Sequence, residues 1–278
     1  MKEFKIEDMT RGLSLGEDGI WFSKAAASVS YPEEGSEWCQ QIEEDSFWFR
    51  HRNNCILAAM SQFTPAGPVI DIGGGNGFVA LALKGAGYGT ILLEPGLAGA
   101  RHASRRGLTP VICSSIEDAG FSVNSFHAVG LFDVLEHCAD DVHFLNKVRG
   151  LLVKGGLLYL TVPAYGFLWS ADDDFAQHFR RYTLAEVASR LQKCGFLVEY
   201  GSYFFMFLPV PIFFLRTLPS ILALRKKSEL EQERNAHRSP RGVLGRLLDR
   251  LLRSEVNIIG RGMEVPFGGS CLVVARAI

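Results

Sequence analysis

Two acids and a run of glycines dominate the first third of the chain. In VIDIGGGNGF (69–78), Asp71 sits inside an apolar run, and Gly73, Gly75 and Gly77 follow at alternate positions. The run reads as a strand that enters a tight loop and opens a helix. Glycines there let backbone come close to a ligand, and the free amides of a helix N-terminus attract anions. Glu94 ends the next apolar run, TILLE (90–94). A carboxylate at the end of a second strand can take both hydroxyls of a ribose. The loop is not a dinucleotide loop: G-x-G-x-x-G needs a third glycine at 78, where Phe78 stands. The glycines alone could be a ligand-free turn. Strand, acid, G-x-G-x-G and second-strand acid together point to a nucleoside.

Three further stretches carry candidate chemistry. His137 closes FDVLEH (132–137), and His178 lies in DDDFAQHFRRYT (172–183). A histidine within reach of a hydroxyl can take its proton. His137 also stands at the carboxyl end of a middle strand, where ligands gather in open α/β sheets. The alternative for either is a purely structural histidine. Beside His178, the side chains of Asp174, Arg180, Arg181 and Tyr182 could grip a phosphate, a carboxylate or a sugar. They could equally form the network that opens the next helix, with Thr183 as cap and Glu186 completing a capping box. His137, His178 and Tyr182 are thus the candidate catalytic groups, and Asp174, Arg180 and Arg181 the candidate acceptor contacts. In FWFRHRNN (47–54), Trp48 and Arg52 offer an aromatic and a cation just before the glycine loop, whereas Phe47 and Phe49 suit an aromatic face packed on a sheet.

The elements that must hold these groups alternate. Apolar runs at 68–72, 90–94, 109–113, 127–133, 157–162, 196–201 and 270–276 read as strands, with helical stretches between the early ones and a helix over 37–63. That alternation predicts an α/β fold with a mostly parallel sheet covered on both faces. At 278 residues the chain fits one large domain with an elaboration. A net charge of −1 gives no argument for nucleic acid. Six scattered cysteines without a CxxC pair read as reduced thiols, with no disulfide frame and no zinc site. The charged start, MKEFKIEDMT, has no apolar core of a signal peptide.

With these residues in place, the chain resembles the class I S-adenosylmethionine-dependent methyltransferases over about 65–200 and the last strand. VIDIGGGNG resembles that family's first motif and ILLEPG its second; ICSSIEDAGF, FHAVGLFDVLEH and GLLVKGGLLYLTVP resemble the three that follow. The resemblance implies a seven-stranded Rossmann-like sheet with an antiparallel seventh strand beside the fifth. It implies that Gly73, Gly75 and Gly77 approach the amino-acid part of the cofactor and that Asp71 organises the loop or reaches the cofactor through water. It places Glu94 on the ribose, Ser115 and Ile116 beside the adenine, and Phe132 and Asp133 near the methionine part. It makes the helix carrying Trp48 and Arg52 a lid, with Arg52 free to pair with the cofactor carboxylate. Where the family often has Asp, this chain has Ser115, which leaves the adenine to backbone or Glu117. Similar ubiquinone-pathway O-methyltransferases have E-x-x-E-H at the place of 133–137 and can hold a divalent cation there, whereas DVLEH also occurs widely in metal-free relatives, where it caps the following helix and orients a loop. Asp133, Glu136 and His137 are the residues in question. The segment around HFRRY resembles one in bacterial cell-envelope methyltransferases.

Residues 202–269 are unlike the rest. YFFMFLPVPIFFLRTLPSILAL (203–224) holds a single charge, Arg216, and is broken by Pro209, Pro211 and Pro219. RKKSELEQERNAHRSPRGVLGRLLDRLLR (225–253) is basic, and its end is amphipathic. Such a pair reads as an interfacial anchor on an anionic, cytoplasmic membrane face; the alternatives are a cap over the acceptor pocket or a dimer interface. The division is then 1–64 as a helical lid, 65–201 with 270–278 as the cofactor domain, and 202–269 as an insertion hanging from the sheet. The function implied is O-methylation of an amphiphilic or lipid-linked acceptor. The alternatives are a soluble methyltransferase for a small phenol or sugar, and a non-catalytic cofactor-binding subunit.

Overall fold

The computed structural model describes residues 6, 9–10, 12–24, 43, 46–222 and 242–278. Nine strands form one sheet: β1 (Leu13–Leu15), β2 (Ile20–Ser23), β3 (Val69–Ile72), β4 (Thr90–Glu94), β5 (Val111–Cys113), β6 (Phe126–Phe132), β7 (Leu152–Pro163), β8 (Phe196–Phe204) and β9 (Ser270–Ala277). Their order is β1-β2-β5-β4-β3-β6-β7-β9-β8. β3 through β7 pair in parallel, and β9 runs antiparallel between β7 and β8. The seven-stranded α/β sheet with its reversed last strand is therefore present.

At one edge β2 pairs with β5 in parallel and β1 folds back on β2. These two strands are an addition to the helical lid expected over 1–64. The signal was in the sequence: Asp18-Gly19 separates two short apolar runs, and Gly19 takes the positive φ of 76° that a tight hairpin turn needs. Of the helix expected over 37–63, the described part is α1 (Phe47–Gln62), capped by the Ser46 hydroxyl, which accepts from the Phe49 amide. Apart from Glu43, the residues from 37 to 45 lie outside the described residues.

Side chains alternate across each strand, so each strand feeds two cores. On one face Val69, Ala128, Leu157, Tyr159, Leu272 and Val274 pack against α1, α2 (Phe78–Gly85) and α8 (Gly242–Gly260). On the other, Ile70, Val129, Leu158, Leu160 and Val273 pack against α4 (Asp141–Leu151) and α6 (Leu184–Lys193). α3 (Leu97–Arg105) closes the edge by β4 and β5 through Ala100 and Ala103. The box expected at Thr183 and Glu186 opens α6, with each side chain accepting from the other's amide. A second box, Ser170 with Asp173, opens the short α5 (Ala171–Phe175).

β8 runs on to Phe204, so the insertion begins at Phe205, later than expected. Its apolar half forms α7, a broken helix over Pro209–Ile212, Phe213–Thr217 and Leu218–Ile221 with a wide π-type middle turn. Pro219 has no N–H for the preceding turn, which accounts for the local widening. The basic residues 225–241 lie outside the described residues. The insertion does not hang free: Leu252 and Ile259 of α8 are buried in the same core as Cys55, Ile56 and Met60 of α1. No helix among the described residues is long and apolar enough to cross a membrane.

Candidate active site

At the carboxyl ends of β3, β4, β6 and β7 lies a cavity of about 470 Å³, with α1 and α7 along its walls. One end of it is formed by the glycine loop and the end of β4. Gly73, Gly74 and Gly75 line it, at the turn where β3 meets α2. Gly75 has φ 54° and opens onto the cavity, so backbone rather than side chain faces a ligand there. A Cβ at Gly74 would stand 2.2 Å from Leu92 and 2.7 Å from an Asp71 carboxylate oxygen, which explains why that position tolerates none. Gly77 does not line the cavity. It takes φ 75° as the cap of α2, and a Cβ there would meet Leu108 at 2.3 Å, so its role is close helix packing rather than ligand contact.

Glu94 projects from the end of β4 into this end. One carboxylate oxygen accepts from the Gly75 amide at 2.8 Å and the other from the Gly96 amide at 2.6 Å. Burial raises its carboxyl above the ordinary range, and the two amides work against that. Each oxygen keeps a lone pair for a ribose hydroxyl. Glu94→Ala is expected to weaken S-adenosylhomocysteine binding by about 1–3 kcal/mol, the scale for losing a charged hydrogen-bond partner; isothermal calorimetry reads it directly.

Past the loop, the cavity narrows onto Trp48, Phe49, Arg52, Asp71, Phe132 and Asp133. Asp71 is fully buried, and neither of its oxygens has a well-formed hydrogen bond. Burial pushes its carboxyl up to about 7; Glu94 adds to this, while Arg52 and the Ala80 amide oppose it. Arg52 reaches from α1 to Asp133 at 2.6 Å and lies over the Phe49 ring. Asp133, at a left-handed φ of 59°, also accepts from the Thr161 hydroxyl at 2.9 Å. Phe47 packs in the core as expected, whereas Phe49 reaches the cavity. Seven carboxylates and three arginines line the whole cavity. That excess of acid, with the unpartnered Asp71, suits a ligand bearing a sulfonium and an ammonium group.

The opposite end gathers Glu136, His137, Asp172, Asp173, His178, Arg181, Ile212, Arg216 and Ser270. His178 Nδ1 is 2.8 Å from Asp173, and Arg181 grips the same carboxylate with two nitrogens, at 2.8 and 3.0 Å. Burial works to raise the Asp173 carboxyl, but the His178 bond and Arg181 outweigh it and hold it below the ordinary range. His137 meets His178 edge to face, ring centroids 4.7 Å apart. Burial first, then His178, lowers the His137 value to about 4, so its imidazole is neutral at pH 7. Glu136 is buried with one oxygen unpartnered, and burial, then Asp133, raises it well above the carboxylate range. Arg216 pairs with Asp172 at 3.2 Å, and both line the cavity.

Several expected residues lie elsewhere. Tyr182 is buried beneath the site, donating to Asp141 at 3.0 Å, and does not line the cavity. Arg180 turns outward to the Ala139 carbonyl and Asp141. Asp174 accepts from the Trp169 indole at the surface. Arg180 and Tyr182 tie the 172–182 segment to the region after β6, helped by the Phe179 amide on the Glu136 carbonyl at 2.8 Å. They bring His178 to His137 rather than touch an acceptor. Ser115 accepts from the Asp118 amide and donates to its carboxylate, and Ile116 packs on the core; neither lines the cavity. For a cation, Asp133 is already held by Arg52 and Thr161, and Glu136 and His137 instead converge with His178, their nearest ligand atoms all within 4.8 Å. Asp172, Asp173, Arg216 and Ser270 were not singled out as site residues from the sequence. The lone charge at Arg216 and the Ser170-x-x-Asp173 spacing were the available signals.

Residues 70–160 match the family described as "Methyltransferase domain". No curated protein matches the chain. Among solved structures, a chain of the complex between the Haloferax volcanii Trm112 methyltransferase activator and a methyltransferase is 16% identical, covering 90% of this chain and 97% of that one, with a TM-score of 0.56. Haemonchus contortus phosphoethanolamine N-methyltransferase 2, in complex with S-adenosyl-L-methionine, is 18% identical with a TM-score of 0.53; 92% of this chain covers 61% of that enzyme. A SAM-dependent methyltransferase of Thermotoga maritima is 18% identical, covering 87% and 97%, with a TM-score of 0.53. At these identities the likeness is one of fold. Residues 70–160 thus carry the matched methyltransferase domain, on a fold shared with S-adenosylmethionine-dependent methyltransferases. The unpartnered Asp71 and the Glu94 carboxylate at the glycine loop fit S-adenosylmethionine, the molecule bound in the Haemonchus enzyme.

Proposed function

We propose that the chain methylates an oxygen of an amphiphilic acceptor taken from a membrane surface. The observation that carries this reading is the double face of α7. Ile212 and Arg216 look into the cavity, while Val210, Phe214, Leu215, Ile221 and Leu222 are exposed. The exposed aromatic rim continues through Phe213 to Phe167, and through Tyr165 to Phe267. An apolar surface that opens onto a polar reaction site fits a molecule with a greasy part and a polar head.

When bound, S-adenosylmethionine supplies an electrophilic methyl carbon. The chain's part is to aim the acceptor oxygen and receive its proton. Asp173 fixes His178 through Nδ1, which leaves Nε2 to take that proton, and the buried carboxylate then stabilises the imidazolium. Arg181 keeps Asp173 ionised and in place. His137, held neutral, stands against the same ring. This Asp-His pair, set in a cavity wall, also speaks against a subunit without chemistry.

A second reading has one observation of its own. The Arg216–Asp172 pair fastens α7 to the short α5 in the cavity lining, as a lid over a small soluble phenol or sugar requires. Vesicle co-sedimentation separates the two. Arg246, Arg250 and Arg253 are exposed on α8. Each is worth about 1 kcal/mol near an anionic surface, screened over about 8–10 Å in physiological salt. The protein should sediment with anionic vesicles, less so in high salt, and less again with all three changed to Glu. Equal sedimentation on neutral and anionic vesicles, or none on either, favours the lid.

A further inference from the structure

Glu255 lies in α8, outside every motif that marks the cofactor site, and is 1% exposed. A buried carboxylate is costly unless its oxygens are paired. Here Oε2 lies 2.5 Å from His51 Nε2 and accepts from the Phe205 amide at 2.8 Å, and Oε1 accepts from the Met206 amide at 2.7 Å. A carboxylate only accepts, so His51 Nε2 carries the shared proton. Three elements therefore meet on one buried charge: α1 through His51, the first residues of the insertion through Phe205 and Met206, and α8 itself.

The same elements carry the cofactor lid. Trp48 and Arg52 flank His51 on α1, and both line the cavity. Phe205 stacks on Trp48, with centroids 4.0 Å apart and planes 20° apart, and its ring lies 5.0 Å from that of His51. Phe205 also holds a left-handed φ of 61°, a conformation a phenylalanine keeps only under constraint, and the bond to Glu255 from its amide is such a constraint. Cys55 adjoins His51, but it is fully buried and burial raises its thiol, so the cluster offers no nucleophile.

We propose that Glu255 is a positioning residue for cofactor binding: through His51 and Phe205 it sets the turn of α1 that presents Trp48 and Arg52. Cofactor occupancy and the packing of the insertion are then one coupled equilibrium, and each strengthens the other.

Hydrogen exchange on the wild-type chain tests this. Adding S-adenosylhomocysteine should slow exchange over 205–206 and along α8 as well as in α1 and the glycine loop. Protection confined to α1 and the glycine loop overturns the proposal. As a second measurement, His51→Phe keeps a flat ring but loses the bond, and should raise the Kd for S-adenosylhomocysteine about tenfold. The turnover at saturating cofactor should stay unchanged. His51→Gln keeps a donor and should bind like wild type. A folded His51→Phe protein with wild-type Kd, or His51→Gln as weak as His51→Phe, overturns the proposal; should His51→Phe not fold, the exchange pattern of the wild type decides.

Discussion

Changing Asp71 to Asn is expected to weaken cofactor binding sharply while making the ligand-free protein more stable at alkaline pH. The two effects share one cause. Asp71 is fully buried without a good partner, and burial lifts its carboxyl to about 7. Its folded value is raised, so the folded state holds the proton more tightly than the unfolded chain. Stability therefore falls as pH rises from about 4 to about 7 and stays low above that. Asn carries no such penalty. The variant should gain about 2–4 kcal/mol over wild type at pH 8 and little at pH 4, measured by urea unfolding. Binding runs the other way. The ionised carboxylate suits the cofactor's ammonium group, so wild-type affinity for S-adenosylhomocysteine should rise between pH 6 and 8. Asp71→Asn should lose about 1.5–3 kcal/mol of it and flatten the pH dependence. Unchanged affinity with an unchanged pH profile would place Asp71 outside the ligand's reach.

The second large effect belongs to His178. Removing its imidazole with His178→Ala should lower the single-turnover rate on the order of 100- to 10,000-fold, the range for a general base. Cofactor affinity should hardly change, since on the proposed reading His178 meets the acceptor and not the nucleoside. Asp173→Asn should follow the same pattern, because the amide can hold the ring in the wrong tautomer and no longer stabilises the imidazolium. A His178→Ala enzyme with the wild-type single-turnover rate would return the ring to a scaffold role.

The legible parts of the site were the local ones. The turn from β3 into α2 needs glycine because backbone, Leu92 and Asp71 crowd it, and that need is written within nine residues. The reversed last strand beside the fifth followed from the resemblance, whereas the β1–β2 hairpin at the sheet edge did not. The 172–182 segment was misjudged in detail for a physical reason. It is neither helix nor strand for most of its length, so no period tells which side chains face the cavity. His178 and Arg181 do, while Arg180 and Tyr182 turn to Asp141 on the other side. The single arginine in the apolar run was conspicuous in sequence, but its partner, Asp172, is fixed only by the packing of α7 on the 165–175 segment, where Thr217 donates to the Leu168 carbonyl. The contact of His51 with Glu255 joins residues 204 positions apart and has no local signature at all.

One measurement bears most directly on the reaction at this site. The protein is incubated with methyl-labelled S-adenosylmethionine and either a lipid extract or a water-soluble extract, alongside His178→Ala. Label should pass to a lipid-phase product through a methyl–oxygen bond, and the His178→Ala enzyme should leave the cofactor unspent. Label appearing only in water-soluble product, or a methyl group carried on nitrogen or carbon, would contradict the account.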